Sequence, residues 1–182
     1  PAYEVQPRFS PDGRSMAFAS DRGGMENLWV ADREGKNPRP VSSEKQSAVN
    51  GPAWSPDGQF LVCRKRLTDT SSLGTVELWL WHLKGGEGIQ LTKKDEQPDA
   101  ADAAFAPDGR FLYYSARPGR YKYDSNVNNG IWQIKRLDRR TGQATATFSD
   151  GRTFRGTFVN DQQSGPGELT FKDGRKITGQ FL

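Results

Sequence analysis

The sequence predicts an all-β protein built from repeats, and three observations carry that prediction. A segment made of an aromatic residue, a small residue and Pro-Asp-Gly occurs three times, as Phe9-Ser10-Pro11-Asp12-Gly13, Trp54-Ser55-Pro56-Asp57-Gly58 and Phe105-Ala106-Pro107-Asp108-Gly109. Successive copies are 45 and 51 residues apart. Each is followed by a strand-sized apolar run: Met16-Ala17-Phe18-Ala19, Phe60-Leu61-Val62-Cys63 and Phe111-Leu112-Tyr113-Tyr114. Proline presets φ at the first corner of a tight turn, aspartate bonds the backbone just ahead of it, and glycine takes the positive φ. A strand, such a turn and a second strand make a hairpin, and hairpins at a fixed period make a repeat architecture.

The composition agrees. Among 182 residues the hydrophobic share is 34% and the aromatic share 11%, with 20 glycines and 11 prolines. Few aliphatics with many aromatics and turn formers suit short strands better than long helices. Mean hydropathy is −0.82, yet regular apolar runs set the chain apart from disordered sequences. The net charge of +4 is spread thinly, with 21 Lys and Arg against 18 Asp and Glu in residues 1–143 and 5 against 4 in residues 144–182. Arg64-Lys65-Arg66 is the one basic run and reads as a solvated strand exit, so nucleic-acid binding is not expected. One cysteine, Cys63, excludes an intramolecular disulfide framework, and its apolar surroundings predict a buried thiol. No run of 18 apolar residues is present to span a membrane as a helix. A chain opening on Pro1 without methionine is expected to be an internal fragment or a processed chain.

Taken in order, the first unit (5–43) offers strands at Val5–Phe9, Ser15–Ser20, Asn27–Ala31 and Pro40-Val41. The second (51–92) repeats them at Pro52–Trp54, Phe60–Arg64, Val76–Trp81 and Ile89–Thr92. The third (101–147) has Ala103–Phe105, Phe111–Ser115 and Gly130–Ile134, with Asp138–Gly142 as the turn that follows. Insertions between second and third strands lengthen from unit to unit: Asp21–Glu26, Leu67–Thr75, Arg117–Asn129. Four strands per unit, this period and loops varying at one corner describe the blades of a β-propeller. Leu28-Trp29, Leu78-Trp79 and Ile131-Trp132 are expected to hold equivalent places and to fill the gaps between blades.

The pattern aromatic-Ser-Pro-Asp-Gly, then Leu-Trp, a Gly turn and Leu-Thr resembles the Pro-Asp propeller repeat of TolB and of the propellers attached to amidohydrolases and peptidases. The resemblance covers residues 5–143. It implies three blades of a partial, open propeller (domain 1–143), since such propellers have six or seven, and it implies a periplasmic or other extracytoplasmic setting.

From Ala144 the period changes. Phe148-Ser149-Asp150-Gly151-Arg152 is echoed by Phe171-Lys172-Asp173-Gly174-Arg175, with Gly165-Pro166-Gly167 between them. Asp-Gly turns between alternating residues predict successive short hairpins. Residues 146–182 resemble MORN repeats, with Phe154, Gly156, Phe158, Gly165, Gly167, Phe171 and Gly174 in the register of that motif. The second domain is therefore expected at 144–182, as a short MORN-like array. MORN arrays elsewhere contact proteins or lipid head groups; a protein contact is the expectation here. The junction 142–148 reads both as the fourth strand of the third blade and as the first strand of the array, and a strand shared by both would cover an exposed edge.

Chemistry-bearing motifs are sparse. His82 continues a strand, and no Gly-x-Ser-x-Gly elbow accompanies it. Asp124–Gly130 alternates oxygen-bearing side chains as a calcium loop does, but Asn129 stands where such a loop needs glycine and Lys135 where it needs glutamate. Asp12, Asp57 and Asp108 are read as turn formers, and no cofactor or metal is expected. The aromatic and cationic set Tyr113, Arg117, Arg120, Tyr121 and Tyr123 in and beside the third insertion is the candidate partner-binding surface. These readings predict a non-catalytic module for protein binding or scaffolding, docking a protein partner or self-associating through open sheet edges. The alternatives are a piece of a larger hydrolase's propeller that gates or orients substrate, and an artificial fusion of two repeat fragments.

Overall fold

The computed structural model describes residues 2–67, 75–92, 99–117, 132–139, 144–147, 150–159 and 162–181. Every regular element among them is a strand. β1 (Glu4–Phe9), β2 (Ser15–Ser20), β3 (Asn27–Asp32) and β4 (Arg39–Pro40) form a four-stranded antiparallel sheet in sequence order. β5 (Ala48–Trp54), β6 (Phe60–Leu67), β7 (Thr75–His82) and β8 (Ile89–Gln90) repeat it. β9 (Asp99–Phe105), β10 (Phe111–Arg117), β11 (Gln133–Asp138) and β12 (Ala144–Thr147) form the third blade. A parallel bridge between Val76 and Asp99 ties the second sheet to the third. The arrangement is a partial, open propeller.

The Pro-Asp-Gly segments join first to second strands in all three blades. Gly13, Gly58 and Gly109 hold φ of 68, 66 and 68° and donate their N–H to the carbonyls of Ser10, Ser55 and Ala106, each at 2.9 Å. In the first two turns the serine hydroxyl donates to the aspartate, Ser10 to Asp12 and Ser55 to Asp57, and accepts the N–H of Ser15 or Phe60 at 2.9 Å. Those bonds hold the Asp12 and Asp57 carboxyls below the usual carboxylate range, with the backbone N–H groups of Arg14 and Gln59 adding to the effect. Ala106 brings no hydroxyl to the third turn. At the outer edge a hydroxyl again closes each of the first two blades. Ser42 and Thr92 accept the N–H of Leu28 and Leu78, both at 2.9 Å.

Two cores lie between blades, one per interface. Ala17, Leu28, Val30 and Val41 meet Val49, Leu61, Cys63 and Trp81 between the first and second blades. Val62, Leu78 and Leu80 meet Ala100, Leu112, Tyr114 and Ala116 between the second and third. Strand alternation explains the split: Leu61 and Cys63 face backwards, Val62 faces forwards. Each buried Leu contributes about 1.5–3 kcal/mol.

The pairing corrects one expectation. Trp29 lies opposite Phe18 and Trp79 opposite Cys63, whereas the matching position opposite Tyr114 is held by Lys135. Ile134-Lys135, not Ile131-Trp132, therefore continues the series begun by Leu28-Trp29 and Leu78-Trp79. Trp132 precedes β11 and stays 50% exposed, because the longer third insertion shifts the phase of the strand that follows it. A cation nevertheless meets each indole. Arg22 lies 5.0 Å from the ring of Trp29, Lys65 4.2 Å from Trp79 and Arg117 5.2 Å from Trp132. Glu4, Glu44 and Asp99 pair with those three cations.

β12 is shared, as the junction sequence suggests. Thr145 pairs with Arg136 of β11 on one side and Arg155 of β13 (Thr153–Val159) on the other. β14 (Gln162–Thr170) and β15 (Lys176–Phe181) continue the same sheet outward. Phe154 is buried, and its ring lies over Gly156 and Gly167, a directly paired couple. A Cβ on Gly167 would come within 2.4 Å of that ring. The glycines are thus where an aromatic needs to lie flat on the backbone.

Candidate functional site

The innermost strands carry a feature that repeats as faithfully as the turns. Gln6, Gly51 and Asp102 adopt left-handed φ of 56, 65 and 52°. Each stands five positions before its turn proline, Pro11, Pro56 or Pro107. In all three blades the pairing of first and second strands slips at this point, which is the mark of a β-bulge. Two of the three residues are not glycine, so the backbone is strained at Gln6 and Asp102, the kind of strain that collects at binding sites.

The bulges face one another across a cleft of about 270 Å³. Gln6, Arg8, Gly51, Arg64, Leu78 and Asp102 are among the residues that line it. Gln6 reaches from the first blade to the second, where its Oε1 accepts the Gly51 N–H at 2.6 Å. The Trp54 indole N–H donates to the Arg8 carbonyl at 2.8 Å, a second tie between the same strands. The Arg64 side chain lies against Gly51 and donates to Asn50, whose amide donates to Glu26 at 3.2 Å. A Cβ at position 51 would add strain at a positive φ, while meeting the Arg64 side chain only at ordinary contact distance, 3.6 Å. The cleft offers two guanidinium-bearing side chains, one carboxylate and an amide. That set binds carboxylates, amines and peptide groups by charge and hydrogen bonding.

The predicted partner-binding residues lie elsewhere. Tyr113 is on β10, 40% exposed, on the face of the third blade turned away from the second. Arg117 ends β10, paired with Asp99 and stacked by Trp132. Arg120, Tyr121 and Tyr123 fall outside the described residues, as do the 124–130 loop and its oxygen ligands. Of the array motif, Phe154, Gly156 and Gly167 come together, while Phe171 and Gly174 form the β14–β15 turn. Phe158 is on β13 and Gly165 on β14, opposite Phe181. His82 accepts the Lys84 N–H at 3.0 Å through Nδ1 and meets Phe60 edge to face at 5.0 Å, a structural setting. Burial pushes the Cys63 thiol well up. Among the described residues no three His, Cys, Asp or Glu side chains converge.

Sequence reasoning missed the cleft, though a signal was there. Gln6-Pro7, Gly51-Pro52 and Asp102-Ala103 sit at one offset from the turns, and proline inside a strand marks a bulge.

No family model matches the chain. An uncharacterized peptidase, YuxL of Bacillus subtilis, is 32% identical over 144 residues, 62% of this chain and 22% of YuxL. Dipeptidyl-peptidase 5 of Porphyromonas gingivalis is 33% identical over 114 residues, 58% of this chain and 15% of that protein. The chain thus spans less than a quarter of either relative. A TolB structure from Agrobacterium tumefaciens superposes with a TM-score of 0.59 at 16% identity, covering 97% of this chain and 66% of that one. The fold is that of TolB-type propeller blades. The two sequence relatives described above are peptidases by name, and the MORN resemblance of residues 146–182 rests on its motif alone.

Proposed function

We propose that this chain is a non-catalytic segment of a peptidase-type propeller, and that its bulged inner strands hold an extended peptide. The carrying observation is the alignment of Gln6, Gly51 and Asp102 around one polar cleft. Bulges re-aim side chains and interrupt pairing, which gives an incoming backbone something to bond. Arg8 and Arg64 supply donors for peptide carbonyls or a terminal carboxylate, and Asp102 accepts from an amine. The peptidase-related sequence relatives support this reading, and an extracytoplasmic setting belongs to the same proposal.

Titration of the chain with unstructured peptides bearing free or amidated C-termini, followed by backbone amide shifts, tests it. Shifts should cluster at residues 6, 51 and 102, and Arg64→Ala should weaken binding at least about tenfold without altering the fold. Shifts confined to other strands, or none at millimolar peptide, would sink the reading. The exposed outer face of the third blade favours a second reading, a protein-docking module.

A further inference from the structure

At their turns the second and third blades meet through an arginine, and the first and second do not. Arg139 follows β11, and its backbone N–H donates to the Arg110 carbonyl at 3.0 Å. Its guanidinium lies 5.2 Å from the Phe105 ring and 6.0 Å from that of Phe60, and Nη1 donates to the Gly109 carbonyl at 2.8 Å. After the bonds from the Ser55 hydroxyl and the Gln59 N–H, its charge helps hold the Asp57 carboxyl low. Aromatic face, carbonyl and carboxylate together are the partners a guanidinium takes best.

The same place in the second blade belongs to Leu83. Its N–H donates to the Gln59 carbonyl at 2.9 Å, and Gln59, like Arg110, follows the turn glycine. One blade back, Asp57, Phe60, Phe105 and Gly109 correspond to Asp12, Ser15, Trp54 and Gly58. All four of these counterparts line a cleft of about 260 Å³ between the first two turns, with Leu83 beside them. Leu83 supplies no charge, and Ser15 takes up less room than a phenyl ring. The Trp54 indole N–H is held by the Arg8 carbonyl, which fixes the plane of its ring. Two cations stand nearby: Arg14, whose N–H donates to Asp12, and Arg39, which donates to the Leu83 carbonyl at 2.6 Å. Neither lines the cleft.

We propose that this cleft is a seat for the arginine side chain of a partner peptide, held as the chain holds its own Arg139. The incoming guanidinium stacks on Trp54, donates to the Gly58 carbonyl and pairs with Asp12. Asp57 lines the same cleft and adds a second carboxylate. A lysine fits less well, because a single ammonium lacks the planar fork that stacks and bonds at once. The seat shares no lining residue with the bulged cleft, so it stands whether or not a peptide occupies that one.

Titration of the chain with acetyl-Gly-Arg-Gly-amide, followed by the Trp54 indole and the Gly58 and Gln59 amide resonances, gives the test. Those resonances should shift, and the neutral peptide with citrulline in place of arginine should bind at least about tenfold more weakly. Leu83→Arg brings the chain's own guanidinium to the seat and should abolish the shifts, whereas Leu83→Met should keep them. Leu83 packs on the first core, so a second variant guards against a misfolded one. Asp12→Asn keeps an oxygen for the turn and should weaken binding about threefold without moving the thermal melt. Equal binding of the arginine and citrulline peptides overturns the proposal, as does a folded Leu83→Arg chain that still binds. Unmoved resonances at tens of millimolar peptide overturn it too. An Asp12→Asn chain with unchanged affinity removes the carboxylate from the seat and overturns the likeness to Arg139.

Discussion

The blades and the terminal sheet solve the same problem in different ways. Blades one to three bury their apolar residues between sheets, so Leu28, Leu61, Leu78 and Leu112 each touch a neighbouring layer. From β12 outward there is a single layer, and among its described side chains Phe154 and Leu169 are the buried hydrophobics. Its principal packing partner for an aromatic is backbone bared by glycine. Layered packing makes a blade depend on its neighbours. A flat aromatic over paired glycines makes a hairpin depend on one ring.

The sharpest way to break that contrast is Phe154→Ala. It should cost about 3–5 kcal/mol of local stability. Amide exchange should quicken across β13–β15 while β5–β7 keep their protection. If the blades lose protection in step, the two regions are one cooperative unit and the contrast fails.

A smaller effect is expected from Gly167→Ala, whose added methyl meets the Phe154 ring and should cost about 1–3 kcal/mol. The same substitution in a Phe154→Ala background should cost much less, because the ring it strikes is gone. Additive penalties in chemical denaturation of the four variants would place the glycine requirement in the strand backbone instead.

The smallest effects belong to the turns, where the blades differ among themselves. Ser55→Ala should destabilise by about 1 kcal/mol, and Ala106→Ser should recover a few tenths at the third turn. The acid side of the stability profile gives the check. Asp12 and Asp57 have folded-state pKa values below their unfolded ones. Their contribution is therefore complete above the unfolded value and fades as pH falls through the folded one, below about pH 4. Removing the Ser10 and Ser55 hydroxyls should flatten that loss. An unchanged acid profile would show that the hydroxyls do not set the titration.

What could be read in the sequence was what is written locally. Pro-Asp-Gly encodes its turn within five residues, so all three turns and the strands beside them were legible, as was the shared strand at 144–147. The phase of β11 was not, because the insertion before it hides how far Trp132 lies from its strand. Nor was the exposure of Phe9, since Trp54 and Phe105 at the same position pack against a core, and only a neighbouring layer decides which it becomes. The bulges lay between these cases. Their spacing was visible at Gln6, Gly51 and Asp102, but left-handed φ at glutamine and aspartate has no strong local cause.

The serial order of the last strands has a mechanical consequence. β15 is held by β14, β14 by β13 and β13 by β12. Tension applied beyond β15 would peel the ribbon one strand at a time, dissipating work in steps before the blades themselves came apart.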